Sequence, residues 1–403
     1  MDWQRMAEAE AAPARAVPVL PPPIAPNRAP VTGAWREGDP TGDRRFVRIG
    51  DVPLESGALL PDARIAYETW GELSPERDNA ILVLHALTGD SHVRGPVGPG
   101  HATAGWWPGV VGPGRAIDTD RWFVVAPNVL GGCQGSTGPA SVARDGVEWG
   151  SRFPFLTIRD QVRAQQQFAA ELGIARFAAV VGGSMGAMHV LEWAITAPQA
   201  VARIAVLAAP AATTADQIAH NSMQLEAVRA DVAFRGGDYY DAPDGDGPTR
   251  GLALARRLAM LNYRTAAELD ERFARSWQSS IDPLGDGGRF AVESYLDFHG
   301  NKFTRRFDAN SYLVLTEAMN SHDVGRDRGG VAAALARIEA ASLVLGVDSD
   351  RYFPLVGQRE VAALLPNSVH GHEPVVVESE FGHDAFLIES DAVGAALRTL
   401  LAA

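Results

Sequence analysis

The chain has 403 residues, 46% of them apolar, with 49 acidic against 36 basic side chains and a formal net charge of −13. That length buries a large core, as one generous domain or a domain carrying a substantial insertion. The acidic balance, with no Lys/Arg stripe to override it, excludes a phosphate backbone as partner, and the single cysteine, Cys133, excludes an internal disulfide or a thiolate metal cage and fits a reducing cytoplasm.

Residues 1–40 are rich in Ala and Pro without helical or alternating periodicity. They read as a disordered tail or an arm laid on the surface. Early acidic residues and scattered prolines do not make a secretory signal, and nowhere does the chain hold the roughly 18 uninterrupted apolar residues of a spanning helix. Beyond residue 40, short apolar, β-branched runs end in Gly, Asn or Asp and alternate with stretches of helical spacing. The runs predict strands over 63–70, 80–86, 122–128, 177–183, 203–209, 342–347 and 374–379, with helices over 157–173, 185–198 and 391–403. Continuous apolar strands linked by helices are the pattern of a parallel sheet covered on both faces. The alternation breaks over 211–330, where 220–234, 250–263, 266–277 and 310–324 carry helical patterns between Gly/Asp loops. This block is expected to be a helical lid inserted into a core made of 41–210 and 331–403.

The segment VVGGSMGAMHVLEWA contains Gly182-Gly183-Ser184-Met185-Gly186, a G-x-S-x-G match between a predicted strand and a predicted helix. The match alone is weak; the strand-to-helix context makes it a nucleophile elbow, whose tight turn needs glycines beside the serine. A phosphate cradle at a helix N-terminus would use similar glycines, but no G-x-G-x-x-G follows the first strand and no Walker lysine is present. The expected architecture is the α/β-hydrolase fold, in which the triad runs serine, acid, histidine along the chain. His383, in FGHDAFLIES between the last predicted strand and the last helix, is then the base, while His370 and His372 fall in a polar loop and read as solvated. The acid follows the strand SLVLGV, where GVDSDRYFP offers Asp348 and Asp350. Asp350, four residues before Pro354, is assigned to orient the imidazole and stabilise the imidazolium; Asp348 reads as a turn or capping residue. The oxyanion hole needs two backbone N–H groups, assigned to Met185, after the nucleophile, and Leu87, in the loop after AILVLHA.

These residues specify serine-nucleophile chemistry on an activated carbonyl and do not separate a hydrolase from a transferase. The segments LVLHALTGDSHV, GWWPGVVGPGRAIDT, NVLGGCQGSTGPAS, FPFLTIRDQVRAQ, GGSMGAMHVLEWA, RFDANSYLVLTEAMNSHDVGR and FGHDAFLIES, in that order, resemble the homoserine O-acetyltransferase family, its actinobacterial members above all. The resemblance implies ping-pong transfer of an acetyl group from acetyl-CoA, a cosubstrate and not a resident cofactor, through Ser184 to the side-chain hydroxyl of L-homoserine, in methionine biosynthesis. It implies Arg256 as the group that binds the substrate carboxylate and Asp384 as the group that binds its ammonium, with Tyr263, further along the helix of Arg256, assisting. A homodimer joined through the lid helices is expected, and no metal. The competing readings are succinyl-CoA as donor, serine as acceptor, an esterase or thioesterase using water, and a non-catalytic binding protein on the same scaffold.

Two positions depart from the family's usual GGSMGG followed by Met-Gln or a similar pair: Ala187 adds a methyl in the first helical turn, expected to be tolerated, and His189 is expected to pack or be solvated and not to catalyse. Cys133 reads as structural. The pair Trp106-Trp107 fits either a cleft entrance or a packed loop.

Overall fold

A computed structural model describes residues 28–403 apart from Asp286, so most of the expected tail lies outside the described residues. The strands are β1 (Arg45–Pro53), β2 (Leu59–Trp70), β3 (Ala80–Leu84), β4 (Phe123–Pro127), β5 (Ala179–Gly183), β6 (Arg203–Leu207), β7 (Ala341–Val347) and β8 (Val375–Val377). They form one sheet in the order β1-β2-β4-β3-β5-β6-β7-β8. Strands β1 and β2, and β2 and β4, pair antiparallel; the remaining pairs are parallel. The helices are α1 (Ile158–Glu171), α2 (Met185–Thr196), α3 (Ala215–Arg229), α4 (Thr249–Tyr263), α5 (Ala266–Phe273), α6 (Ala291–Thr304), α7 (Ala309–Asn320), α8 (Val331–Leu335), α9 (Leu355–Leu364), α10 (Ala385–Ile388) and α11 (Ser390–Ala402). None among the described residues is long and apolar enough to cross a membrane.

The two-residue period of the strands sorts their side chains into two cores. Leu82, Leu84, Val180, Ile204, Val206 and Val344 meet residues of α1, α2 and α9. Ile81, Val83, Val181, Ala205, Leu207 and Leu345 meet Trp107, Ile117 and the apolar stripe of α11. Burial on both faces explains why these strands read as continuous apolar runs. Helix α1 starts at a capping box, in which Thr157 accepts from the Asp160 amide and the Asp160 carboxylate accepts from the Thr157 amide.

Some elements differ from the expectation. Strand β1 was not anticipated: it is half exposed, and Gly50 at φ +75 interrupts its register with β2, which hides the alternation. Helices α6 and α9 were also not anticipated, because Gly300 and Gly357 and a scatter of aromatic and β-branched residues weaken their helical pattern. Residues 28–40, expected to belong to a disordered tail or to an arm laid on the surface, pack on the body as an arm does. Val31 and Ala34 are buried, and the Thr32 hydroxyl donates to Asp308 at 2.7 Å. That carboxylate, fully buried, also accepts from the Tyr239 and Tyr240 hydroxyls and from the Ser311 amide at the start of α7. Four donors satisfy the buried charge and tie the arm to the inserted helices. Between β6 and β7 the chain inserts helices α3 to α8, and α4 reaches over the end of β5.

Candidate active site

Ser184 stands at the turn between β5 and α2 with φ 57 and ψ −125, a conformation that L-residues rarely adopt and that lifts the hydroxyl clear of both elements. Close approach explains its neighbours. A Cβ on Gly186 would overlap the Leu84 carbonyl, and one on Gly183 would overlap the Phe386 ring. Ala187, one position beyond, is fully buried, so its extra methyl is accommodated in the core.

Gly382 turns the chain after β8 at φ +60, and His383 follows in a short 3-10 turn. Its Nε2 lies 2.8 Å from Ser184 Oγ, and its Nδ1 lies 2.6 Å from Asp350 Oδ2. Asp350 leaves the end of β7 and is buried; its other oxygen accepts from the amides of Tyr352, at 2.9 Å, and Phe353, at 2.8 Å. Those two bonds fix the carboxylate plane, so Oδ2 faces the imidazole. Asp348 points elsewhere, accepting from the Ser379 amide at 3.0 Å. His370 and His372 are exposed. Tyr263, Tyr352, Phe353 and Phe386 surround the His383 ring with centroids 5.0 to 5.7 Å away, which holds its plane and keeps water off it.

A cleft of about 240 Å³ opens on this array, lined by Ala86, Leu87, Thr88, Ser184, Arg256, Tyr263, Arg264, His383, Asp384 and residues 386–388. Met185 supplies the first N–H of α2, which has no acceptor within the helix. Leu87 lines the cleft beside Ser184. The Arg256 guanidinium sits over the rings of Tyr263, at 5.7 Å, and Phe303, at 5.3 Å, and its buried Nη1 has no hydrogen-bond partner among the described residues. A cation left unpaired beside a cleft is ready for an anionic ligand group. Burial pushes the Tyr263 phenol up to about 12, so it stays a donor. Asp384 is not free: Arg264, which sequence reasoning missed, pairs with it at 3.2 Å. The only sequence signal for Arg264 was adjacency to Tyr263, and the pair forms between residues 120 positions apart.

Several unforeseen residues hold the loop of Leu87. His85 is buried and kept neutral by that burial; its Nδ1–H donates to the Ala86 carbonyl while Nε2 accepts from the Val129 amide. Arg306, beyond α6, donates to the Thr88 carbonyl and pairs with Asp90 at 3.5 Å. Trp106 donates to the Asp90 carbonyl and Trp107 to that of Phe386, so the tryptophan pair packs this loop against the rim of the cleft.

Asp43, Glu68, His92 and His101 bring possible metal-ligand atoms within 4.8 Å of one another. Their arrangement does not suit one ion. The two imidazoles stack at 3.8 Å with planes 14° apart, so their in-plane lone pairs do not converge. His92 Nδ1 is bonded to Glu68 at 2.8 Å and His101 Nε2 accepts from the Asp43 amide. Burial lowers the His92 pKa, but the hydrogen bond and charge of Glu68 outweigh it, leaving the ring above its ordinary value. The centre of the cluster is the buried His92–Glu68 pair, with Asp43 at its exposed edge.

Cys133 is buried, and burial pushes its thiol up to about 12, so it is no nucleophile at neutral pH. A larger cleft of about 620 Å³ at the β1–β2 edge contains none of the triad, and its Arg36 and Arg64 are paired with Glu148 and Glu37. His189 is buried on α2 against Gln161, with Nε2 at 2.8 Å from the amide oxygen. Burial brings its imidazole from 6.5 down to about 3. Between those values the unfolded chain binds a proton that the folded one refuses, so stability falls as pH drops below 6.5. His189→Gln is expected to lose about 2 kcal/mol less than the parent between about pH 6.5 and pH 5. Urea unfolding at both pH values measures this, and equal losses would contradict it.

The chain matches the family model of the α/β hydrolase fold over residues 79–390. It is 64% identical over 403 residues to homoserine O-acetyltransferase of Leifsonia xyli subsp. xyli, covering 100% of each chain. Among solved structures it is similar to homoserine O-acetyltransferase from Bacillus anthracis, at 27% identity, 89% of this chain, 97% of that one and TM-score 0.80. It is also similar to esterase E22, at 25% identity, 89% and 99% coverage and TM-score 0.80. Two activities thus occur on one backbone, and the full-length identity decides between the families: the chain belongs to the homoserine O-acetyltransferase family, acyltransferases built on the α/β-hydrolase fold.

Proposed function

We propose that the chain transfers the acetyl group of acetyl-CoA to the side-chain hydroxyl of L-homoserine in two half-reactions at Ser184. The observation that carries the reading is full-length identity of 64% to a homoserine O-acetyltransferase, joined to the Ser184–His383–Asp350 relay at the floor of a cleft with an unpaired arginine.

In the first half, His383 Nε2 takes the Ser184 proton as Oγ attacks the thioester carbon. The oxyanion lies between the N–H groups of Leu87 and Met185. The C–S bond breaks, the proton passes from His383 to the leaving sulfur, and CoA departs. In the second half, His383 takes the proton of the homoserine hydroxyl, whose oxygen attacks the acetyl-serine carbonyl. O-acetyl-L-homoserine leaves and the proton returns to Ser184 Oγ. Asp350 holds Nδ1–H toward itself throughout. Arg256 binds the acceptor carboxylate, with the Tyr263 hydroxyl assisting, and Asp384 binds the ammonium, sharing its charge with Arg264. The aromatic wall around His383 and the inserted helices limit water, so that transfer outruns hydrolysis. The reading includes methionine biosynthesis in a reducing cytoplasm, and a homodimer through the inserted helices, where Leu254 and Leu261 of α4 are 43% and 42% exposed.

Steady-state rates with acetyl-CoA or succinyl-CoA as donor and homoserine or serine as acceptor, with products identified by mass spectrometry, test the reading. Acetyl-CoA with homoserine is expected to dominate. A large preference for another pair, or CoA release with free acetate and no need for an amino acid, would overturn it. Arg256→Ala is expected to raise KM for homoserine by about 100-fold, because a buried charge pair is lost, with a smaller effect on acetyl-CoA. Equal effects on both substrates would contradict the assigned role.

A further inference from the structure

The loop after Leu87 carries a second cleft, of about 500 Å³, walled by Arg94, Gly95, Pro96, Pro108, Pro113 and Arg115. Two arginines and three prolines line it, and no acidic residue does. Neither arginine has an ion-pair partner among the described residues; the Arg94 Nη1 donates to the Val111 carbonyl at 3.2 Å. The nearest acid in sequence, Asp118, is engaged by the Gly114 and Asp120 amides at 2.8 and 3.0 Å. In a chain of net charge −13, whose field repels anions, an acid-free arginine pair is a local exception. The Arg94 guanidinium is also held in place: a Cβ on Gly112 would overlap it, and one on Gly105 would overlap the Arg94 backbone.

Contacts of the turn 107–109 link this cleft to residues at the rim of the active-site cleft. Phe386, Leu387 and Ile388 line the active-site cleft, and Trp107 Nε1 donates to the Phe386 carbonyl at 3.2 Å. A Cβ on Gly109 would overlap the Ser390 hydroxyl. Pro108, between those two contacts, is part of the basic wall. The turn 107–109 thus touches the segment that rims the one cleft and contributes Pro108 to the lining of the other.

We propose that Arg94 and Arg115 bind the phosphates at the nucleotide end of the acyl donor, while its pantetheine arm crosses Pro108–Gly109 and the 386–388 rim to bring the thioester to Ser184. The inference rests on the proposed use of a CoA thioester. Guanidinium forks match phosphate oxygens in pairs, and an exposed cleft lets the phosphates keep part of their hydration.

The test uses adenosine 3′,5′-bisphosphate, the nucleotide end without its arm, titrated into the parent protein and into Arg94→Ala and Arg115→Ala. Binding that competes with acetyl-CoA is expected, weakened about tenfold in each variant, with inorganic phosphate competing only at far higher concentration. In steady state, the ratio of KM for acetyl-CoA to KM for acetyl-pantetheine is expected to rise about tenfold in each variant. A parent protein that acetylates homoserine from neither thioester removes the CoA reading itself. A parent that uses both, with bisphosphate affinity and the KM ratio unchanged in the variants, overturns the phosphate site alone.

Discussion

Ser184→Ala is expected to lower acyl transfer by about 10⁴- to 10⁶-fold while leaving the thermal midpoint close to that of the parent. The change removes Oγ, 2.8 Å from His383 Nε2, and nothing that holds the turn. The Ser184 amide still donates to the Leu207 carbonyl, and alanine tolerates φ 57 no worse than serine does. The variant keeps the N–H groups of Leu87 and Met185, so a trace of turnover by direct attack of water on the thioester remains. CoA release followed with a thiol reagent, beside a thermal melt, measures both quantities. Retention of more than about 1% of parental transfer, in the range that removing one oxyanion donor would leave, would mean that another group carries the acetyl.

Asp350→Asn is expected to cost about 10⁴-fold in kcat, against little change for Asp348→Asn. The difference follows from which atoms are already fixed. Asp350 Oδ1 accepts from the Tyr352 and Phe353 amides, so an asparagine keeps its carbonyl there and turns its NH₂ toward His383 Nδ1. A donor facing Nδ1 forces the proton onto Nε2, and that tautomer cannot accept from Ser184. Among the described residues the Asp348 side chain accepts from the Ser379 amide, an acceptor that an asparagine reproduces. Parallel assays of the two variants decide the matter. Equal losses would remove the distinction between the two acids.

The parts of the fold legible in the sequence are those whose physics is local. Buried parallel strands announce themselves as apolar runs, and the elbow glycines mark a turn that allows no Cβ. Chain order then narrowed the base to His383 and the acid to the end of β7, where Asp350 and not Asp348 reaches the imidazole. Strand β1 escaped because Gly50 breaks its alternation, and α6 because Gly300 sits inside it against Ala253 of α4. The supporting residues escaped for a different reason. Arg264 with Asp384, Arg306 with Asp90 and Thr88, and Glu68 with His92 pair across long sequence separations, and no short motif encodes such contacts. The packing of residues 28–40 also depends on a distant partner, the buried Asp308 carboxylate.

The most direct measurement mixes the protein with acetyl-CoA alone, quenches it, and locates the acetyl group by peptide mass spectrometry. The account predicts a stoichiometric acetyl-ester on Ser184 that L-homoserine discharges rapidly to O-acetyl-L-homoserine and that water discharges slowly. An unmodified Ser184, or an ester that water clears as fast as homoserine does, would contradict it.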